Sequence, residues 1–447
     1  MLRKHPQQVA WLTVLTGLLA FCLSCSAFGY GVYYFLFQST VPLTMKMVVS
    51  RGAVKLTTLD STNPLVDNQI TIEPQTYLDV RDDSQAVLFI QDSYSLRTIT
   101  TMTLTTGTKL FVAEATRPRF DFSRRPYRID MSRASGQLII TSTPEGREFQ
   151  MDIRSDLGMA RLMDDGRYTV NTEYYPETKL QRLNLFNQGG RANLYKPSLS
   201  EWKEVNPNRI AHLVFKNNAN APEFEPESDS PLIILAEGRF LTDVAPSTTA
   251  ELPANWGCTN GVERDAVLPD EVPGAFFRDA AEGNALHFMR EGDSLIKHGE
   301  TSCFWPNKGG GIDLTPYATV RIHLRLQLRD HDLPLCGIVG SECPIMVEIR
   351  YQYPSPDGKT EMPIQQWNHG FYLIPDPSKP ATCGTCSLAH ERVNPNVWYF
   401  YDSGDLRTQL VDNATGAVPT ILKLSIYASG HQWDALVSDV TLLGTLK

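Results

Sequence analysis

From Val9 to Phe37 the chain is almost wholly apolar, and no Asp, Glu, Lys or Arg falls between Lys4 and Lys46. The run is longer than the ~20 residues a helix needs to cross a bilayer core. Arg3 and Lys4 precede it, on the side that charge bias keeps in the cytoplasm. Tyr30, Tyr33 and Tyr34 stand near its far end, where aromatic rings favour the interface. A signal peptide cut after Ala27 would leave a mature chain beginning Phe28-Gly-Tyr-Gly-Val-Tyr-Tyr-Phe, a poor start for a soluble protein. A lipoprotein signal needs a small residue and a Leu at set places before the lipidated Cys; Phe21-Cys-Leu-Ser-Cys25 does not supply them well, and the apolar run continues past it. The pattern therefore predicts a single-pass transmembrane helix over 9–37. Residues 1–8 form a cytoplasmic tail, and the bulk of the chain is extracytoplasmic at the cell membrane.

Beyond residue 45 the pattern changes to period two, or to short apolar runs bounded by turn residues. Met47-Val-Val, Ala86-Val-Leu-Phe-Ile, Leu110-Phe-Val, Gln137-Leu-Ile-Ile and Leu232-Ile-Ile-Leu are of this kind, and they predict strands. Thr fills seven of the eleven positions from Thr98 to Thr108, and its β-branching favours extended chain. Only Leu199–Val205 and Phe276–Glu282 suggest a turn or two of helix. The exported part reads as mainly β.

Residues 216–231 interrupt the alternation with three Pro, three Glu and little apolar content, which reads as a linker. Composition shifts across it. Five of the seven Trp and six of the eight Cys follow it, so two regions are expected, 46–215 and 232–447. The six distal Cys (Cys258, Cys303, Cys336, Cys343, Cys383 and Cys386) read as disulfides in an exported region. We expect Cys258 to pair with Cys303 and the other four among themselves. Zinc is the rival, on the Cys383-x-x-Cys386 spacing, but no standard second half accompanies it. The net charge of −9 argues against nucleic acid as a partner, because that needs a basic face.

Ser50-Arg-Gly-Ala-Val, Ala134-Ser-Gly-Gln-Leu and Gln188-Gly-Gly-Arg-Ala each set Gly before an alternating segment, as at the opening of a hairpin. With Tyr77-Leu-Asp-Val-Arg-Asp-Asp-Ser-Gln-Ala-Val-Leu-Phe-Ile90 and Met159-Ala-Arg-Leu-Met-Asp-Asp-Gly-Arg-Tyr-Thr-Val170, these make 46–215 resemble a FecR-type extracytoplasmic domain. The resemblance implies a β-rich envelope module. Members commonly signal through an inner segment, which eight residues cannot form. Region 232–447 resembles a galactose-binding-like jelly roll, the sandwich of many carbohydrate-binding modules. It does so through Leu235-Ala-Glu-Gly-Arg-Phe240, Leu252-Pro-Ala-Asn-Trp256, Gly283-Asn-Ala-Leu-His-Phe288, Asp313-Leu-Thr-Pro-Tyr-Ala-Thr-Val, Ile426-Tyr-Ala-Ser-Gly-His-Gln-Trp-Asp434 and Val437-Ser-Asp-Val-Thr-Leu442. That likeness implies a carboxylate at Asp439 able to help hold a structural calcium, the one cofactor expected.

The search for catalytic chemistry is mostly negative. There is no Gly-x-Ser-x-Gly elbow, no P-loop for a nucleotide and no His-Glu-x-x-His. His390-Glu391 lacks a second His, Asp330-His331-Asp332 reads as exposed loop charge, and Asp164-Asp165-Gly166 reads as a turn. Binding chemistry is better represented, since flat aromatic rings cover the C–H faces of sugars while polar neighbours bond their hydroxyls. The candidates are Trp367, His369 and Tyr372, then Trp398 to Asp402, and His431, Trp433 and Asp434 in a turn after Gly430. Alternation sets Trp398 and Phe400 on one side of their strand and Tyr399 and Tyr401 on the other, one pair buried. Arg117, Arg119, Arg124, Arg125 and Arg128 form a basic cluster that reads as a solvated loop or as a contact to acidic polymer or lipid headgroups. Together these features predict a non-enzymatic, membrane-anchored envelope protein. Its first β region is a spacer or assembly module, and its distal sandwich binds a surface polysaccharide or an envelope protein. The alternatives are a FecR-type transmembrane regulator and an envelope glycosidase whose carboxylates the sequence does not single out.

Overall fold

A helix runs from Pro6 to Tyr33 and continues through a wider last turn, Tyr34–Gln38. Its stretch Ala10–Gln38 is long and apolar enough to cross a membrane. Its large side chains stand exposed all round. The rest is mainly β, with strands taking 61% of the described residues and helix 11%. The computed structural model describes residues 6–447 apart from 59–61, 67–68, 145, 177, 217–220, 230–231, 239–255, 261–274, 280–284, 292–297, 307–310, 334–335, 338–339, 356–361 and 374–388.

The β strands pack around two separate cores. The first lies under one extensively paired sheet system, with Met47, Leu88, Met102, Leu110, Ile140, Leu162, Tyr168 and Leu185 fully buried. Its long strands serve two neighbourhoods. The first half of Tyr127–Ser142 pairs with Lys109–Pro118 and Phe149–Arg154, while its second half pairs with Thr98–Leu104 and Met159–Tyr175. Gly136, at φ +80°, stands where the partners change. The repeated glycines are therefore points where strands bend between neighbourhoods, and not hairpin openings. Gly52 likewise lies between Thr44–Arg51 and Val54–Thr57, which pair with different strands.

The expected linker is partly a strand. Glu223–Asp229 pairs antiparallel with Arg209–Phe215. Phe224 packs on the core, and Arg182 holds Glu225 at 3.0 Å. Pro226 is tolerated because this strand ends the sheet's path. Leu199–Val205 is also corrected: Pro197–Leu199 makes one tight turn, and Glu201–Val205 pairs as a strand with the 192–196 stretch. Of the helix expected over Phe276–Glu282, the described part is a strand, Ala275–Asp279, which pairs with Ala285–Arg290, and 280–282 lie outside the described residues.

The second core lies between two facing sheets, so the distal unit is a β-sandwich. One sheet runs Ala275–Asp279, Ala285–Arg290, Trp433–Leu446, Tyr317–His331, Tyr399–Asp402, with Leu232–Gly238 on the closing strand. The other runs Gly257–Asn260, Gly299–Trp305, Thr420–Gly430, Ile345–Gln352, Gln365–Tyr372, Ala389–Arg392. Cys258 and Cys303 face each other in register and form a disulfide, as expected, and Cys336 joins Cys343. Cys383 and Cys386 lie outside the described residues.

Candidate functional site

The two β units meet along a groove of about 310 Å³. Alternation builds both of its walls. In the first unit the inward phase, Leu138, Ile140, Tyr168, Val170, Leu185 and Ala211, fills the core. The outward phase then makes two cross-strand rows by register. One row is polar, Gln137, Asn171, Asn184 and His212, and the next is largely apolar, Ile139, Thr169, Phe186 and Ile210. The opposite wall is the outward phase of the sandwich: Thr319, Arg321, His323, Phe400, Asp402, Leu443 and Thr445.

Charge in the groove is held by close neighbours. His212 bridges Asn184 Oδ1 at 2.8 Å and the Ser228 hydroxyl at 2.9 Å. Burial, then the Arg182 charge, pushes its pKa down, so the ring is neutral near pH 7. Asp402 lies 3.2 Å from both His323 Nε2 and Arg321 Nη1, and accepts from the Gly404 amide at 2.8 Å. Burial alone would raise its pKa, but His323, then Arg321 and the amide, hold it below the usual carboxylate range. The His323 ring stands edge-on to Phe400 at 5.2 Å. Gln137, Thr169, Gln188 and Thr319 line the groove without a side-chain hydrogen bond to another described residue.

Polar bonds join the units beside the groove. The Gln85 amide donates to Phe400 O and accepts from Phe400 N, both at 2.8 Å, completing an edge strand as a neighbouring backbone would. Asn394 donates from its backbone to Ser50 O and from its side chain to Val49 O, both at 2.9 Å. Arg51 reaches Glu391 at 2.9 Å and the Tyr399 hydroxyl at 3.3 Å. Burial opposes the Glu391 charge, but His369, then Arg51 and Tyr399, keep its pKa below the ordinary value. Asp439, the expected calcium ligand, instead faces Arg167 of the first unit at 3.6 Å and Arg325 at 3.7 Å. Two guanidiniums already supply the positive charge a calcium would bring.

The expected ligand residues are scattered. Trp433 is fully buried, with the Arg290 guanidinium 5.3 Å from its ring centre, so it is a packing residue and offers no platform. Tyr372 is buried beside Cys336 and Cys343. His369 is buried between Trp367 and Tyr401, because Trp367, His369 and Phe371 share the inward phase. Trp367 caps this stack, half-buried, and bonds Gln409 at 3.1 Å. Asp434 pairs with His287 at 2.6 Å, and His431 stands edge-on to His298. Of the 398–402 segment, Tyr399 and Tyr401 face the sandwich core as alternation required, and Phe400 and Asp402 reach the groove. Asp330-His331-Asp332 is no exposed loop: His331 ends a paired strand and is buried. Among the described residues the one cluster with metal-ligand spacing is Cys336, Cys343 and His390, whose two sulfurs are joined in the disulfide. The groove was missed because its residues occupy the strand phase that reads as solvent-facing. Ile139, Phe186 and Ile210, apolar in that phase, were the signal.

No family model matches the chain, and no curated protein matches it. Among solved structures, an exo-beta-agarase is similar at 7% identity and a TM-score of 0.22. The likeness covers 46% of this chain and 25% of that one. At that level it carries no argument about fold or activity.

Proposed function

We propose that the chain is a non-enzymatic, membrane-tethered envelope protein that binds a polyhydroxylated ligand, a glycan segment, in the groove between its two β units. The observation that carries this is the pairing of rows. A line of amide and imidazole groups runs beside a line of apolar surface, which suits a sugar's hydroxyl edge and C–H face. The volume lies at the lower end of the ~300–1,000 Å³ typical of small-ligand sites. Gln137, Thr169, Gln188 and Thr319 supply open donors and acceptors.

Binding suits the groove better than glycoside cleavage. Cleavage ordinarily takes two carboxyl groups, one kept protonated. Asp402 is the one carboxylate among the described lining residues, and its neighbours keep it ionised. It serves as a hydrogen-bond acceptor. Anchoring through 9–37, with the β units outside the cell, would hold such a site against surface polysaccharide.

The test is retention of the full chain, in detergent, on an array of peptidoglycan fragments and of neutral and acidic oligosaccharides. Native protein is expected to be retained, and Thr169→Arg, which fills the groove, should lose more than about tenfold in affinity, or ~1.4 kcal/mol. Retention that Thr169→Arg leaves unchanged, or no retention at all, rejects the reading.

A further inference from the structure

The helix meets the first β unit through a cluster of aromatic rings. Phe35 stands edge-on to Phe120 at 5.4 Å, and Phe37 edge-on to Phe122 at 5.5 Å. Phe120 and Phe122 stack on each other at 5.3 Å. The segment 119–125 is tied to the helix end by backbone and side chain. Arg119 N donates to Ser39 O at 3.0 Å, the Ser123 hydroxyl to Phe37 O at 3.1 Å, and Arg125 to Gln38 O at 2.9 Å. Thr40–Pro42 then pairs with the 116–118 stretch. The loop therefore has a fixed place beside the last turn of the helix.

That place lies at the bilayer surface if the helix spans. The 29 residues of Ala10–Gln38 measure about 43 Å, against a hydrocarbon core of about 30 Å. The ends of the helix therefore reach into the headgroup layers. Phe122 remains 58% exposed, Phe35 50% and Phe37 40%, an apolar surface left open in spite of the ring contacts. Arg119, whose guanidinium lies 5.4 Å from the Phe35 ring centre, is exposed, as are Arg124 and Arg125 in the same segment. Asp121, the one acid of the segment, is already paired with Arg117 and Arg147. Open aromatic rings on a loop that also carries exposed arginines match the boundary between acyl chains and phosphate headgroups.

We propose that the 119–125 loop is a second membrane contact. Phe120 and Phe122 enter the interfacial layer beside Phe35 and Phe37, and Arg119 and Arg124 bond the phosphates of anionic lipids. The contact seats the first β unit on the bilayer and fixes its orientation. It rests on the spanning helix and is independent of the groove.

The experiment uses the full chain in nanodiscs of mixed phosphatidylcholine and phosphatidylglycerol, with Phe122→Trp as reporter. The added emission is expected to shift to the blue. Brominated phospholipid should quench most of it, and aqueous acrylamide little. Lipid recovered with the native chain should be several-fold enriched in phosphatidylglycerol, an enrichment lost in Arg119→Gln/Arg124→Gln. Trp11, read by difference against Trp11→Phe, reports the helix separately. If bromolipid quenches Trp11 while the indole introduced at position 122 is quenched only by acrylamide, the loop contact is overturned and the helix stands. Failure of bromolipid to reach Trp11 overturns both. Native chain without lipid enrichment, or enrichment that survives in the double variant, rejects the phosphate contact.

Discussion

His331 is the residue whose environment most constrains the molecule's response to pH. It ends the strand Tyr317–His331, opposite Trp433, and is buried. Burial pushes its pKa down to about 4, against the smaller upward pull of Asp332 and Asp330. In the unfolded chain an imidazole titrates near ~6.5. Below that value the unfolded state takes up a proton that the folded state refuses until about pH 4. The His331 contribution to stability is therefore level above pH ~6.5 and falls as the pH drops to about 4. The loss amounts to about 3 kcal/mol, because each pH unit between the two values is worth ~1.4 kcal/mol. Asp92 acts lower on the scale, since burial is outweighed by the Ser95 and Tyr94 amides, Tyr127 and Arg117, which bring it to about 2. Urea midpoints measured from pH 7.5 to 4 (roughly the span of the histidine step) should decline in the native chain and decline less steeply in His331→Leu, where half-buried His212 still contributes. An undiminished decline in that variant would remove His331 as the cause.

At the scale of the element, the bends in the long strands decide the first unit's shape. Gly190 lies within Leu180–Lys196 at φ +91°, and a Cβ there would stand 2.0 Å from the Tyr168 hydroxyl and 2.5 Å from Asp165 O. That hydroxyl, deeply buried, donates to Met163 O at 2.6 Å, so it cannot simply turn away. Gly190→Ala should cost about 3 kcal/mol through strain and overlap. The adjacent Gly189→Ala, with nothing within 4 Å, should cost under about 1 kcal/mol. Tyr168→Phe should recover part of the Gly190→Ala loss by vacating the space, and equal losses at 189 and 190 would refute the assignment. These strands also show what a sequence can and cannot carry. Alternation over Gln137–Ile140 and Met159–Val170 is written in single side chains, so their strand character and inward faces were legible. The long apolar helix was legible for the same reason, whereas the Cys258–Cys303 pair, though expected, follows from the register of two strands that single side chains do not carry. The bend at Gly136 was not, because it depends on which strand lies alongside. Glu223–Asp229 was misread because its partners, Arg182 and the strand Arg209–Phe215, supply what its own composition lacks. Trp433 looked like a ligand platform in a turn, yet pairing with His331 draws it into the core.

In the whole molecule, the joint and the groove share a residue, and that couples them. Each β unit has its own apolar core, and the described contacts between them are largely polar: Gln85 with Phe400, Asn394 with Ser50 and Val49, Arg51 with Glu391, and Arg167 with Asp439. Such contacts add little net stability while made, but are costly when one partner is lost from a dry site. Gln85 is the sharpest case, for it is buried and completes both backbone groups of Phe400. Phe400 in turn forms a wall of the groove and packs against His323, which holds Asp402. Gln85→Ala should leave the Phe400 amide and carbonyl without partners, at about 2–4 kcal/mol for the two groups. The units can avoid that cost by parting enough to admit water. Calorimetry of the full chain should then resolve two transitions where one is expected for the native chain. Hydrogen exchange should rise at 399–402 and at 49–51, with both cores still protected. Because the parting moves Phe400, ligand affinity should fall in the same variant, although Gln85 does not line the groove. Gln85→Glu keeps the acceptor and loses the donor, so it should fall between the two. A single unshifted transition, or weakened binding without faster exchange at 399–402, would break the proposed link between the joint and the groove.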